Sequence, residues 1–410
     1  MKRSIPFLFF IFLSLLLISG CDQPVGLQTI TTPASSPSML PFLTKDNSGS
    51  LYLSWVESDS NGETLLKYAK YSNSRWTSPK QIAKGSDWFV NWADYPAVVT
   101  SDSDLMAAHW LHKVPGGTYA YDIKMAVSNH SGGQSVLSPH YDETATEHGF
   151  VSMAALNNDK FLAVWLDGRQ TADRAPDEYG DLAKAMTLRS AEINRDGEVT
   201  GKRQIDDSVC DCCQTSLAKI KKGAIVAYRN RTERELRDIH VSRYRQGSWS
   251  EPVAVHADGW KIGGCPVNGP VVKASGDTVL VAWYTAANES KTVKAAYSFD
   301  GGATFASPVI INDEAEPLGR VDAGFLTPDL AAITWMGKRG DEAILKVRTL
   351  QTATGRTGKV TDITVMSLDR KSGFPQIEYL GNTLFFAWTA LEEQPQIKMG
   401  SISLESVIGN

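Results

Sequence analysis

The feature that most constrains this chain is an aromatic residue recurring at the end of a short apolar strand. It appears as LSW at Trp55, AHW at Trp110, AVW at Trp165, VAY at Tyr228, VAW at Trp283, ITW at Trp335 and FAW at Trp388. Successive spacings are 55, 55, 63, 55, 52 and 53 residues. A period this regular, carried by short strands with no helical pattern, predicts four-stranded antiparallel sheets stacked radially, each packed only on its neighbours. Seven units predict an all-β propeller of seven blades. The alternative is six blades, with one unit serving as an added sheet. On either count 39–410 forms one domain, because a propeller grows by repeating a sheet and not by enlarging a single core.

The clearest copy of the unit is 276–312. Apolar residues alternate over 278–283 and 293–297, the period of half-buried strands. Then comes Ser298-Phe299-Asp300-Gly301-Gly302-Ala303-Thr304-Phe305. There the Asp side chain caps backbone N–H groups, the glycine pair supplies positive φ, and Phe305 returns to the core. Ser298, Asp300, Gly302, Thr304 and Phe305 resemble the Asp-box hairpin of sialidase-like (BNR-repeat) β-propellers, which joins the third and fourth strands of a blade. A worn copy at 128–133 has His130 in the place of the Asp.

The N-terminus carries Lys2 and Arg3, an apolar run over 5–18, then Ser19-Gly20-Cys21. A charged start, an apolar stretch too short to span a bilayer comfortably and small residues before a cleavage point describe an export signal over 1–20. Ile18-Ser19-Gly20-Cys21 resembles the lipobox of bacterial lipoproteins. That resemblance implies cleavage before Cys21, lipidation of its thiol and attachment to a membrane of the bacterial cell envelope, facing the periplasm. Asp22 resembles an inner-membrane retention signal. The Thr-, Ser- and Pro-rich stretch after Cys21 reads as a flexible tether, so 21–38 is expected to lie outside the folded body. A net charge of −5, or −7 once Lys2 and Arg3 leave with the signal, argues against a nucleic-acid partner. No nucleotide, haem or flavin motif is present, and no cofactor is required by the fold.

If each first strand runs from one face to the other, two sets of polar residues share the first face. The starts of first strands give Asp94, Glu147, His148, Cys210, Cys212, Cys213, Cys265, Asn268, Arg320 and Asp322. The turns after second strands give His112, Asp167, Arg169, Arg229, Arg231 and Tyr284. First strands are innermost, so these residues are expected around a channel mouth, as a binding site or as a hydrated funnel.

Two readings of that mouth follow. The sialidase resemblance implies recognition of an acidic glycan, with or without hydrolysis. Arg169, Arg229, Arg231 and Arg320 would hold a carboxylate, with Asp322, Asn268 and His148 as further contacts; Tyr284 with Glu147 would form the nucleophile pair, and Asp94 or Asp167 the acid. The chain departs from that family where an Arg-Ile-Pro motif is expected early in the first blade. It reads Met39-Leu40-Pro41-Phe42 there. The other reading rests on the cysteines. Cys210, Cys212 and Cys213 begin one unit and Cys265 the next, so they form either disulfide staples between adjacent blades or a soft-metal or redox site. Thiolates favour copper(I) or zinc. A third class, a scaffold whose rim binds another envelope protein, needs neither. The runs NWADYP (91–96), GTYAYDI (117–123), EHGFVS (147–152), WLDGR (165–169), CDCC (210–213) and GCPVNGP (264–270) resemble bacterial exported proteins grouped under sialidase or BNR-repeat names.

Overall fold

The structure is a computed structural model describing residues 26–175, 178 and 180–408. Its strands form seven separate sheets, each antiparallel and built on four consecutive radial positions. Blade one comprises Ser38–Lys45, Leu51–Ser58 and Thr64–Ser72, with Arg75–Trp76 and Lys80–Gly85 sharing the outer edge. The recurring aromatic residues all lie on second strands. Trp55, Trp165, Trp283 and Trp335 are almost fully buried, and each joins an apolar cluster drawn from two adjacent blades. This is why the period is so regular: each blade must present one large apolar residue to its neighbour, and truncating one to Ala would cost about 3–5 kcal/mol.

The ring closes through the start of the chain. Blade seven takes Gln376–Leu380, Thr383–Leu391 and Pro395–Ser403 from the C-terminal end and receives Gln28–Ile30 as its outermost strand, with Thr29 opposite Gly400. The expected tether over 21–38 is corrected for this stretch. Edge N–H and C=O groups of Pro395–Ser403 need partners, and the short Thr-rich segment supplies them without needing an apolar face of its own. The signal at 1–20, Cys21 and Asp22 lie outside the described residues.

Strand register defines two faces. In blade five, Ser275 pairs with Thr278 and Val279 with Ser298 at one end, while Thr285 pairs with Thr292 at the other. The approach to the first strand therefore shares a face, here the upper face, with the 285–292 turn. The 298–305 turn lies on the lower face. There Asp300 Oδ1 accepts from the Ala303 and Thr304 N–H groups (2.8 and 3.0 Å), and Ser298 Oγ accepts from Gly302 N–H (2.9 Å). Phe305 packs, partly buried, against the cluster between blades four and five.

Candidate functional site

On the upper face many first-strand polar residues clasp one blade to the next. Asp94 Oδ1 accepts from Phe150 N–H (2.8 Å), Gln214 Oε1 from Gly269 N–H (2.9 Å), Asn268 Oδ1 from Arg320 N–H (2.8 Å) and Asp322 Oδ2 from Ile377 N–H (2.9 Å). The seats are shaped for them: a Cβ on Gly149 would lie 2.0 Å from Asp94 Oδ2, and one on Gly319 would lie 2.1 Å from Asn268 Oδ1. Asn268, Asp322 and one oxygen of Asp94, read from sequence as mouth residues, are thus committed to backbone donors, which buried strand entrances must satisfy.

A channel of about 640 Å³ runs between the inner strands. Its upper end is crossed by 91–96. Gln214 of blade four donates to Ala93 O (2.8 Å), Trp92 stacks on Phe374 before blade seven (6.0 Å, 11°), and the Arg320 guanidinium of blade six lies 5.3 Å over Trp92. A segment touching blades three, four, six and seven can do so only by lying over the axis. The expected polar mouth is therefore covered by an aromatic segment.

The arginines do not converge on a carboxylate pocket. Arg229 is buried and donates to the carbonyls of Arg237, Asn268 and Tyr284 (2.6, 2.8 and 2.8 Å), with Trp260 beneath it. Arg320 donates to Ser372 Oγ and Gly373 O (2.6 and 2.8 Å). Arg231 grips Glu235, and Arg169 chelates Asp167 through Nε and Nη2 (2.6 and 2.7 Å). Buried cations are stable only when so paired, and the blade turns supply the acceptors. Asp167 also accepts from Trp165 Nε1, which leaves it little capacity as an acid. Tyr284 packs edge-on against Trp260 and does not meet Glu147.

The tyrosine that does meet Glu147 is Tyr121, in the 117–123 run. Its hydroxyl makes a short hydrogen bond to Glu147 Oε1 and a longer one to Asp94 Oδ2 (3.2 Å). Burial pushes the Glu147 carboxyl up to about 8, reinforced by the nearby charges of Asp94, Asp211 and Cys265, and burial pushes Asp94 up to about 7. Tyr121 itself is wholly buried.

Beside this group the four cysteines gather. Cys210 follows the last strand of blade three, Val199–Val209, and Cys213 precedes the first strand of blade four, Ser216–Ile220. The turn between them brings the thiols of Cys210, Cys212 and Cys213 within 4.8 Å of one another, with Cys210 and Cys213 Sγ at 2.7 Å. Cys265, exposed on the approach to blade five, faces Cys212. Among the described residues none of the four is in a disulfide, so the expected staple between blades four and five is not seen. The closest pair lies within a single turn, three residues apart, a CxxC spacing that a comparison of Cys210 with Cys212 overlooks. Arg237 donates to Cys210 Sγ (3.4 Å) while Glu235 holds it through Nε and Nη2 (3.1 and 2.8 Å). Burial opposes ionisation of Cys210, but hydrogen bonds from the Cys212 and Cys213 thiols and the Arg237 charge outweigh it and draw its pKa well below the usual range. Arg174, Arg231 and Arg237 stand against Asp211 and Glu235 here.

No protein-family model and no curated protein matches this sequence. Among solved structures, a protein of unknown function from Dyadobacter fermentans DSM 18053 is 13% identical, with 93% of this chain and 98% of that one covered and a TM-score of 0.52. The leech intramolecular trans-sialidase complexed with 2,7-anhydro-Neu5Ac is 10% identical, with 92% and 69% covered and a TM-score of 0.47. The β-propeller domain of the trilobed protease from Pyrococcus furiosus is 10% identical, with 89% and 95% covered and a TM-score of 0.47. The chain is a seven-bladed β-propeller with sialidase-like structural neighbours. The strand pairing itself fixes the fold, and the chemistry is left to the side chains.

The propeller holds one more polar group, between blades two and three. His148, at the start of His148–Ala155, is fully buried and stacks on His140 (4.1 Å, 13°). Asp142 Oδ2 lies 3.2 Å from both His140 Nδ1 and His148 Nε2, and 3.2 Å from Arg169 Nη2. Burial and the His148 charge hold His140 below the usual histidine range. For His148 burial acts downward, but Asp142, Asp167 and Asp122 outweigh it and raise its pKa. Sequence reading found His148 but missed His140, Asp122 and Asp142, which gather only when blade two's last loop folds back on blade three.

Proposed function

We propose that this propeller is a membrane-anchored protein of the bacterial cell envelope that binds a thiophilic metal ion, copper(I) or zinc, through Cys210, Cys212, Cys213 and Cys265. The observation that carries the reading is the gathering of four cysteines from two blade approaches beside a fixed guanidinium. Thiolate sulfur is the ligand type such ions select, and the N-terminal Cys21 would tether the site to a membrane. The residues fit the group: Arg237 donates to Cys210 Sγ, Cys212 and Cys213 follow on the same turn, and Cys265 offers an exposed sulfur by which an ion is gained or passed on. The bound ion would hold the two blade approaches together. Thiols still protonated would release their protons as it binds. Competition with a copper(I) or zinc chelator tests this. The Cys213→Ser variant is expected to lose affinity at least 100-fold, and an affinity unchanged by that substitution and by Cys210→Ser contradicts it.

A second reading, recognition of an acidic glycan with or without hydrolysis, is favoured by one contact. The Glu147–Tyr121 hydrogen bond, with Asp94 beside it, brings together the residue types of a carboxylate-activated tyrosine nucleophile, in a buried pair that would have to be uncovered to act. Binding of a sialylated or uronic-acid glycan that is lost in Glu147→Gln, with metal content intact, would favour it over the metal reading.

A further inference from the structure

We propose that His140, His148 and Asp122 bind a divalent first-row transition-metal ion between blades two and three, with Asp142 orienting both rings. This site is separate from the cysteines and does not rest on their role. His148 is wholly buried, and while its Nε2 faces Asp142 Oδ2 at 3.2 Å, its Nδ1 has no hydrogen-bond partner. An imidazole nitrogen sealed from water and left idle is costly unless something else occupies it.

The surroundings indicate which lone pair. Asp142 faces His140 Nδ1 and His148 Nε2, and it is itself held by Arg169 and by the Thr144 backbone N–H (3.3 Å). A carboxylate gripping the outer nitrogens of two imidazoles is the usual support behind metal-binding histidines, since it fixes the tautomer and raises the basicity of the opposite nitrogen. That leaves His148 Nδ1 and His140 Nε2. The ligand atoms of Asp122, His140 and His148 lie within 4.8 Å of one another. His148 Nδ1 is 3.7 Å from Asp122 Oδ1. This is too long for a hydrogen bond but close to the spacing of roughly 3.3 Å between two ligands on one ion with bonds of about 2.0 Å. His140 Nε2 takes only a long hydrogen bond from Ile123 N–H (3.3 Å), which the ion would displace.

Charge agrees. Asp167 is consumed by Arg169 and Trp165, and Asp142 shares Arg169, whereas the ion contact of Asp122 is with His148 itself. With both imidazoles neutral, Asp122, Asp142 and Asp167 outnumber Arg169 and Arg189 by one negative charge. A metal cation at His148 Nδ1 balances the group in place of a proton there. Two imidazoles and one carboxylate suit zinc and its neighbours in the first row, and the partly exposed Asp122 leaves coordination positions open.

The test is zinc stoichiometry by elemental analysis after dialysis of the full chain against buffered zinc, in the wild type, in Asp122→Asn, in His148→Ala and in a variant with all four cluster cysteines changed to Ser. The four-serine variant is expected to keep one zinc per chain. Asp122→Asn, on a partly exposed position that leaves the core intact, and His148→Ala are each expected to lose one zinc relative to the wild type. Stoichiometry unchanged in Asp122→Asn and His148→Ala, or no zinc in the four-serine variant with a native melting transition, overturns the proposal.

Discussion

The upper face holds two kinds of polar residue at nearly the same positions, and they behave in opposite ways. At the blade four to five, five to six and six to seven junctions, Gln214, Asn268 and Asp322 spend their side chains on the next blade's backbone N–H groups. At the blade two to three junction and along the rim of blades four and five, His148 keeps Nδ1 without a hydrogen-bond partner and four cysteines crowd together with no disulfide among the described residues. A clasp residue meets a fixed backbone donor and is finished; a site residue meets other side chains that are incomplete without a ligand. The difference teaches that polarity at a strand start does not mark a binding site, whereas unspent polarity does.

The comparison breaks first, and most severely, at a clasp. Gly269→Ala would place a Cβ 2.1 Å from Gln214 O and 2.6 Å from its N, both backbone atoms. It is expected to destabilise the fold by about 3 kcal/mol or more, read from the denaturation midpoint. An unchanged midpoint would show that the clasps are loose and that the contrast with the site residues is unfounded.

A smaller effect sharpens it through pH. Burial raises Asp94 from 3.8 to about 7, so the folded chain holds this proton more tightly than the unfolded one. The favourable contribution is complete below pH 3.8 and fades as pH rises through about 7, so stability from this group falls across that window. Asp94→Asn should flatten the decline in melting temperature between pH 4 and 8 relative to the wild type. A parallel pair of curves would place Asp94 in a hydrated setting and not in a dry clasp.

The smallest effect lies on the lower face. Asp300 is exposed but accepts from two N–H groups and the Thr304 hydroxyl, and Asp300→Ala should cost about 1 kcal/mol without altering metal content. A loss of metal would mean the two faces are coupled.

Much of the fold was legible because one aromatic residue per blade sets the period, and no other architecture needs seven copies of it. The closing strand Gln28–Ile30 was not, since three residues without apolar alternation carry no strand signal until their partner's edge is seen. At the site, the clustering of Cys210, Cys212 and Cys213 followed from sequence adjacency, and the approach of Cys265 from counting blades. The pairing of Glu147 was misread. Tyr284 sits two blades away, while Tyr121 lies on the third strand of blade two, where only the path of 141–147 brings Glu147 back to it. The covering of the channel by 91–96 was equally hidden, because its partners Gln214, Arg320 and Phe374 come from blades far apart in the chain.

The measurement that tests the central claim most directly is elemental analysis joined to native and denatured intact mass, on the full chain. The account predicts a copper or zinc at the thiols in the native mass and one metal fewer per chain after Cys210→Ser with Cys213→Ser. A metal-free native chain, lighter by the hydrogens of two disulfides, would contradict it and return the four cysteines to the role of staples.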